Sequence, residues 1–144
     1  MKTAFRWWTI AWPVLVVVQI SLVGVGAFHA ANVLEDDKAL SKDSFEAWFG
    51  PHAAFGTILV ALAILYGLFS LATRDRRLMK IGGITAGLFV LQMLLAWLGG
   101  GLPALGWLHP LNALVILGWT GRNSFAAWRE PQAVAAAPAT VTAA

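Results

Sequence analysis

The chain lacks cysteine altogether and is poor in charge. Only 12% of its 144 residues are Asp, Glu, Lys or Arg, whereas a soluble domain carries about 25%. The absence of cysteine excludes disulfides, iron–sulfur clusters, thiolate-ligated iron, covalently attached c-type haem and a cysteine nucleophile. Because 59% of the residues are hydrophobic, there is too little polar surface to cover a water-facing core, and we expect the chain to lie in a lipid bilayer.

A net charge of +3 does not by itself indicate nucleic acid as a partner. The sequence carries no basic face and no fold motif of a nucleic-acid-binding module. Membrane proteins acquire an excess of Lys and Arg at their cytoplasmic ends. We therefore expect a membrane protein that binds no nucleic acid.

Long uncharged runs predict four membrane spans, since a span needs about 20 residues. Residues 7–34 and 47–73 each hold one span. The run 81–121 is too long for one crossing, and glycines 99–101 followed by Pro103 divide it, because glycine weakens a helix and proline cannot continue one. The predicted bundle covers residues 1–128, with spans at 8–31, 50–73, 81–98 and 102–121, and residues 129–144 are predicted to form a disordered cytoplasmic tail.

The charges predict the orientation of these spans. Eight of the ten Lys and Arg residues fall on one side of the four-span arrangement, and five of the seven acidic residues fall on the other. Cytoplasmic flanks hold the excess of Lys and Arg. The sequence therefore predicts an all-α, multi-pass integral membrane protein, an up-down-up-down bundle with both termini in the cytoplasm. We expect the cluster Arg74, Arg76, Arg77 and Lys80 to set this topology rather than to bind a specific lipid.

The predicted outer loop, residues 32–49, leaves two alternatives open. Asp43 and Glu46 have the spacing of a capping box, and Phe45, Trp48 and Phe49 follow at helical intervals. The loop could hold a short interfacial helix, or it could be a solvated acidic segment with a few aromatic residues facing the membrane. Beyond a helix–loop–helix duplication of hydropathy, no internal repeat is visible.

The three histidines of the chain are all predicted at the outer ends of spans. His29 closes the first span, His52 opens the second and His109 opens the fourth. Ionisable residues within spans are costly and usually face the bundle interior, so each is a functional hypothesis. His52 and His109 lie on diagonal helices that run in the same direction, so their side chains can meet. Because imidazole is a common ligand of haem iron and bundle cores hold cofactors, the pair predicts a haem site.

Neighbouring residues fit this hypothesis. Gly56 and Ala113 each lie four residues after a histidine and leave room for a flat cofactor, although small residues also let helices pack closely without one. Gln92 and Asn112 lie at a depth from which either could orient an imidazole or bond a ligand. For Gln19, in the middle of the first span, we expect a structural interhelical hydrogen bond.

Other roles for the histidines remain open at this stage. They could be structural residues at the membrane boundary, or they could handle protons or bind a metal at the outer surface. We expect His29 to be structural. If it binds anything, it could replace one axial ligand, bond a haem propionate, or join Glu35 and Asp36 in a divalent-metal site.

Four short runs carry a resemblance to a known family. They are VVVQISLVGVGAF, FGPHAAFG, FVLQMLLAWLG and WLHPLNALVILG. Together they resemble an uncharacterised family of small bacterial four-span membrane proteins over about residues 6–125, and that family supplies no activity. More distantly, the arrangement is similar to one half of heme A synthase, in which histidines of the second and fourth helices bind haem.

The second likeness implies His52 and His109 as the axial ligand pair. Only one bundle is present here, and the acidic and cysteine features of the synthase have no counterpart, so haem binding is what the likeness implies and catalysis is not. We expect a b-type haem that serves electron transfer, haem handling or redox sensing, with no catalytic residues and with enzymatic activity of the chain alone disfavoured. Its partners would be a quinone, a redox partner or another membrane subunit.

The alternative is a cofactor-free membrane subunit or assembly protein whose small-residue faces pack against partner helices, with homo-oligomers as one form. A small transporter is disfavoured because no discontinuous span is evident.

Overall fold

The computed structural model describes the backbone of residues 2–36 and 38–135 and the side chains of these residues up to residue 129. This part of the chain is all-α. Its four long helices are α1 (Lys2–Glu35), α2 (Lys42–Ala72), α3 (Arg76–Gly101) and α4 (Leu108–Ala135), and a short 3-10 helix at Pro103–Leu105 separates α3 from α4.

The four helices form a ring in which each packs mainly against two others. α2 contacts α1 and α3, and α4 contacts α1 and α3, so α2 and α4 lie on a diagonal. The connections 36–41, 73–75 and 102–107 are short, which makes consecutive helices antiparallel. We call the end with the 73–75 connection the basic end, and the end with the other two connections the acidic end.

Three of the described helices, α1, α2 and α3, are long and apolar enough to cross a membrane. Large apolar side chains on their surfaces are exposed, for example Val14 at 64% and Phe28 at 76%, as lipid contact requires. These features indicate a multi-pass membrane protein. α4 is long enough but less apolar, because His109, Asn112 and Arg122 lie within it.

The helix ends differ from the predicted span ends. α1 continues to Glu35 and α2 begins at Lys42, so residues 42–49 of the predicted loop are helical, as one of the two alternatives expects, but as the first turns of α2. Ser41 caps α2, accepting a hydrogen bond from the Ser44 main-chain nitrogen at 3.1 Å. The predicted capping box at Asp43 is therefore replaced by a serine cap two residues earlier.

The break between α3 and α4 lies later than predicted. α3 runs through the three glycines to Gly101, and α4 begins at Leu108 rather than at residue 102. Pro103 starts the 3-10 turn that redirects the chain. α4 then continues to Ala135, seven residues into the predicted disordered tail, and residues 136–144 lie outside the described part of the chain.

An aromatic core fills the half of the bundle near the basic end. Tyr66 stacks on Phe5 with ring centroids 4.4 Å apart and meets Trp12 edge to face at 5.7 Å. Trp12 also packs against Phe89 of α3 at 4.9 Å. The Thr9 hydroxyl donates to the Phe5 carbonyl at 2.8 Å, so the Tyr66 hydroxyl must donate to Thr9, 2.7 Å away. Burial of these rings supplies most of the apolar packing between helices.

Fewer side chains are buried towards the acidic end than towards the basic end. We call the level of Gln19, His52, Gln92 and His109 the histidine level. Among the described residues, only Gly26 and Leu95 are buried between this level and the acidic end. The helices are therefore held together tightly on one side of the histidine level and loosely on the other.

Candidate functional site

His52 and His109 meet in the middle of the bundle. His52 lies near the start of α2, and His109 is the second residue of α4. Their ring centroids are 6.4 Å apart, and the rings are edge to face at 74°. Both side chains are partly buried. The structure thus brings together the two histidines that the sequence places on diagonal helices.

The His52 ring is bound to α1 in one tautomer. Its Nδ1 atom lies 3.0 Å from the main-chain oxygen of Gln19. A carbonyl oxygen only accepts, so Nδ1 carries the proton. The Gln19 amide nitrogen donates to the His52 carbonyl at 2.9 Å and lies 3.4 Å from the ring Nε2. In the neutral ring, Nε2 therefore presents a lone pair that is only weakly engaged.

His109 is bound to α3 in the same way. Its Nδ1 donates to the main-chain oxygen of Gln92 at 3.1 Å, and the Gln92 amide nitrogen lies 3.1 Å from Nε2. Asn112 fixes the orientation of this amide. Its nitrogen donates to the Leu88 carbonyl at 3.0 Å and to the Gln92 Oε1 at 2.7 Å, so the nitrogen of Gln92 must face the histidine.

These two glutamine–histidine pairs belong to an internal repeat. α1 with α2 and α3 with α4 form two hairpins, and the buried residues of α2 recur 57 residues later in α4. The pairs are Leu59 and Ile116, Ala63 and Thr120, Tyr66 and Asn123, and Ser70 and Ala127. The two hairpins therefore share one register of buried positions, and each contributes one glutamine–histidine pair.

A second close contact follows the same repeat. A Cβ atom added to Gly26 would lie 3.0 Å from the Phe49 ring, and one added to Gly99 would lie 2.9 Å from the Gly106 Cα. Gly99 and Gly106 are the counterparts of Gly26 and Phe49. In both hairpins, therefore, the chain passes close to a glycine near the acidic end, where a larger residue would clash.

The repeat is broken beside Gln19. Phe55 occupies the α2 position that corresponds to Asn112, so Gln19 has no amide neighbour. Its Oε1 atom is buried and has no hydrogen-bond partner among the described residues. The His52 half of the site is thus less completely bonded than the His109 half.

Gly56 and Ala113, the two small residues expected to leave room for a flat cofactor, do not line a shared open space among the described residues. A Cβ atom on Gly56 would lie 2.7 Å from the Gln19 amide nitrogen. Gly56 therefore makes room for the glutamine side chain. Ala113 is partly buried on α4, one turn after His109, and nothing in the structure assigns it a separate role.

His29 lies apart from the histidine pair. Its Nε2 is 3.2 Å from the Ser44 hydroxyl, and its ring stacks on Trp48 with centroids 4.2 Å apart. These contacts tie the end of α1 to the start of α2, as a structural role requires. Within the described residues no group of three His, Asp or Glu side chains could hold a metal ion, so His29 is not gathered with Glu35 and Asp36.

The two imidazoles at the histidine level fit a haem iron by donor type, and their ring centroids lie 6.4 Å apart. Metal-bound histidines commonly donate their other ring N–H to a carbonyl, and both rings do so here. The fit requires the amides of Gln19 and Gln92 to turn away from the Nε2 lone pairs.

Sequence reasoning assigned Gln19 only a structural role and missed its pairing with His52. Gln19 and Gln92 both lie in apolar stretches and are both followed by glycine seven residues later, at Gly26 and Gly99. This shared glutamine-to-glycine spacing is the sequence pattern that links the two glutamines. It is too short to predict a repeat by itself, and it becomes informative once the two sets of hydrogen bonds are known.

Comparisons of the chain with protein-family models, with curated proteins and with solved structures give no match.

Proposed function

We propose that this chain is a membrane-embedded haem-binding protein in which His52 and His109 would hold the iron of one b-type haem. One observation carries the proposal. Two imidazoles from diagonal helices lie 6.4 Å apart, and both are held by Nδ1 in the tautomer that leaves Nε2 free of a proton. That is the protonation state in which histidine binds metal.

The residues of the site have distinct roles in this proposal. The main-chain oxygens of Gln19 and Gln92 fix the two tautomers and do not compete with a metal, because they bond the opposite ring nitrogen. Asn112 holds the Gln92 amide against the His109 Nε2, so this amide must be displaced before Nε2 can bind a metal. A haem held by two histidines would supply one-electron transfer rather than oxygen chemistry. Few residues are buried on the acidic side of the histidine level. A large cofactor on that side would therefore displace the fewest existing side-chain contacts.

In the full proposal all four helices span the bacterial cytoplasmic membrane, with the basic end in the cytoplasm. The histidine level then lies at the depth of Gln19, about the middle of the predicted first span. Electrons from a single haem at that depth need a quinone, a redox partner or another subunit to cross the membrane. Electron transfer, haem handling and redox sensing are the processes this geometry suits, and the family resemblance stays a prediction.

The test is the absorption spectrum of the purified protein. The full chain, expressed with haem supply, should show a Soret band and the split visible bands of a reduced low-spin haem. His52→Ala and His109→Ala should each abolish the low-spin spectrum, whereas the matched control His29→Ala should retain it. A folded protein that stays colourless would contradict haem binding.

A second candidate function rests on the glutamine bonds themselves. Each histidine Nε2 already faces a donor amide, Gln92 at 3.1 Å and Gln19 at 3.4 Å, so the polar core is largely satisfied without any ligand. A cofactor-free membrane subunit or assembly protein would use this network to fix the helix register. It is favoured if the colourless protein is stable and loses stability when either histidine is replaced.

A further inference from the structure

A pocket of about 280 Å³ opens between α3 and α4 near the basic end. We call it the basic pocket. Its lining residues are Arg77, Lys80, Ile81, Trp119, Arg122, Asn123 and Ala126. Ile81 and Asn123 are buried and form its floor, while Lys80 and Arg122 are exposed at its rim. The pocket therefore combines an enclosed base with a positively charged opening.

Two of the cations at the rim have no anionic partner in the described part of the chain. The ion pairs found there join Lys2 to Asp75, Lys38 to Asp36 and Lys42 to Glu46. None of them involves Lys80 or Arg122, and neither of these side chains forms a hydrogen bond with a described residue. Two unpaired cations at one opening attract an anion.

The other hairpin fills the corresponding position. By the internal repeat, Trp8, Tyr66 and Phe69 are the counterparts of Ile81, Asn123 and Ala126. The Trp8 ring contacts Tyr66 at 5.4 Å and Phe69 at 6.1 Å, so aromatic rings occupy the corresponding position between α1 and α2. The basic pocket is thus a departure of the second hairpin from the repeat, with three smaller side chains and with three cations where the first hairpin has Ala4, Trp7 and Leu65.

The walls of the pocket are held in place by bonds that do not use the rim. The Trp119 indole donates to the Thr85 hydroxyl at 3.0 Å, and the Asn123 amide donates to the Trp119 carbonyl at 2.7 Å. The first bond connects α3 to α4, the second lies within α4, and together they fix the side chains beneath Arg122. The shape of the pocket does not depend on an occupant.

We propose that the basic pocket binds the phosphate group of an anionic phospholipid. Basic pockets between spanning helices on the cytoplasmic side recognise such headgroups, and guanidinium groups are suited to phosphate. Ile81 and Ala126 give the pocket an apolar side for the glycerol region of the lipid. The cations that sequence reasoning assigned only to topology would then have a specific ligand. This site is separate from the histidine level, and it stands whether or not haem is bound.

The test is lipid binding by the purified full chain in detergent, measured by native mass spectrometry. Dioleoyl phosphatidylglycerol should be retained in preference to dioleoyl phosphatidylcholine. Lys80→Gln with Arg122→Gln should weaken phosphatidylglycerol binding, by about five-fold for each charge removed. The matched control, Arg76→Gln with Arg129→Gln, removes the same charge near the same end but outside the pocket, and should leave most of the binding.

A second variant tests the shape of the pocket with every charge retained. Ala126→Phe copies the phenylalanine of the other hairpin and should fill the space, so phosphatidylglycerol retention should fall. Equal losses in the pocket and control charge variants, with no loss in Ala126→Phe, would mean general attraction to a charged surface and would overturn the proposal. If millimolar inorganic phosphate displaces the lipid and protects the protein from unfolding equally well, the ligand is a soluble phosphate compound and the lipid assignment is wrong.

Discussion

The imidazole rings of His52 and His109 meet edge to face with their centroids 6.4 Å apart, although they come from helices on a diagonal of the bundle. Each ring is anchored to the preceding helix in the chain, His52 to α1 and His109 to α3. The polar centre thus links all four helices, and any ligand held between the rings would contact both halves of the repeat at once.

The two glutamines should contribute unequally to stability. Gln92 bonds His109 and accepts from Asn112, whereas the Oε1 atom of Gln19 has no partner among the residues that the structure describes. Gln92→Leu leaves the Asn112 amide and the His109 Nε2 short of partners and should lower the free energy of unfolding by about 1–2 kcal/mol.

Gln19→Leu should cost less than about 1 kcal/mol, because it also removes a buried acceptor that has no donor. Both variants would be compared with the unchanged chain by denaturant unfolding in detergent, followed by circular dichroism. Equal losses, or a larger loss for Gln19→Leu, would contradict the asymmetry of the two hairpins.

Acid should weaken the connection between α2 and α3. The Asp75 carboxylate accepts from Lys2 at 3.1 Å and caps α3 through the main-chain nitrogens of Arg77 and Leu78. The hydrogen bond from Lys2, together with those from the helix start, lowers the pKa of Asp75 below its ordinary value. A carboxylate with a lowered pKa stabilises the fold above its unfolded-state pKa, and this contribution is lost as the pH falls through the folded-state value.

We therefore expect the unfolding temperature to fall as the pH drops through the acid range in which Asp75 takes up a proton, and Asp75→Asn to flatten that part of the profile. Lys2→Gln should flatten it in part, and adding it to Asp75→Asn should change nothing further, because the ion pair is already gone. Salt should reduce the same contribution, since the pair is exposed. A profile of Asp75→Asn as steep as that of the unchanged chain would assign the acid sensitivity to another group.

The sequence predicts the helices well because hydropathy is a property of single segments. Three of the four predicted spans lie within helices that are apolar enough to cross a membrane. The ends are less predictable, because they depend on local competition: Ser41 rather than Asp43 caps α2, and the glycines before Pro103 stay helical. The connections 36–41 and 73–75 are shorter than the predicted loops 32–49 and 74–80, whereas the connection 102–107 is longer than the predicted break at 99–101.

The candidate site was predictable only in part, for a different physical reason. Equal depth and parallel direction were enough to bring His52 near His109. The partner of each ring depends on how neighbouring helices are rotated, and hydropathy carries no information about rotation in segments that are apolar all round. Gln19 and the basic pocket both depend on that rotation, so neither could be assigned from composition or spacing.

Adding a single methyl group at the contact between α2 and α3 should destabilise the protein. A Cβ atom on Gly82 would lie 2.5 Å from the Cβ and Oγ of Ser70, which is fully buried. Gly82→Ala should therefore force the helices apart and cost about 1–3 kcal/mol. Gly83, the next residue, has nothing within 4 Å of the same added atom.

Gly83→Ala is the matched control and should stabilise the helix by up to about 1 kcal/mol. Thermal unfolding of the two variants in the same detergent gives the comparison. If both substitutions raise the unfolding temperature, the packing of α2 on α3 described here is incorrect.

Gln92 should act in opposite directions on the empty protein and on haem binding. Its amide faces the His109 Nε2 at 3.1 Å, the atom that we propose as an iron ligand, while its main-chain oxygen holds Nδ1 and is retained in any variant. Gln92→Leu should therefore lower the stability of the haem-free chain and raise its haem affinity by about two-fold to ten-fold, the equivalent of one hydrogen bond. Haem titration followed by absorbance, beside unfolding of the haem-free protein, measures both. Loss of haem affinity in this variant would mean that the amide supports the ligand instead of competing with the iron, and the proposed displacement of the glutamine would be wrong.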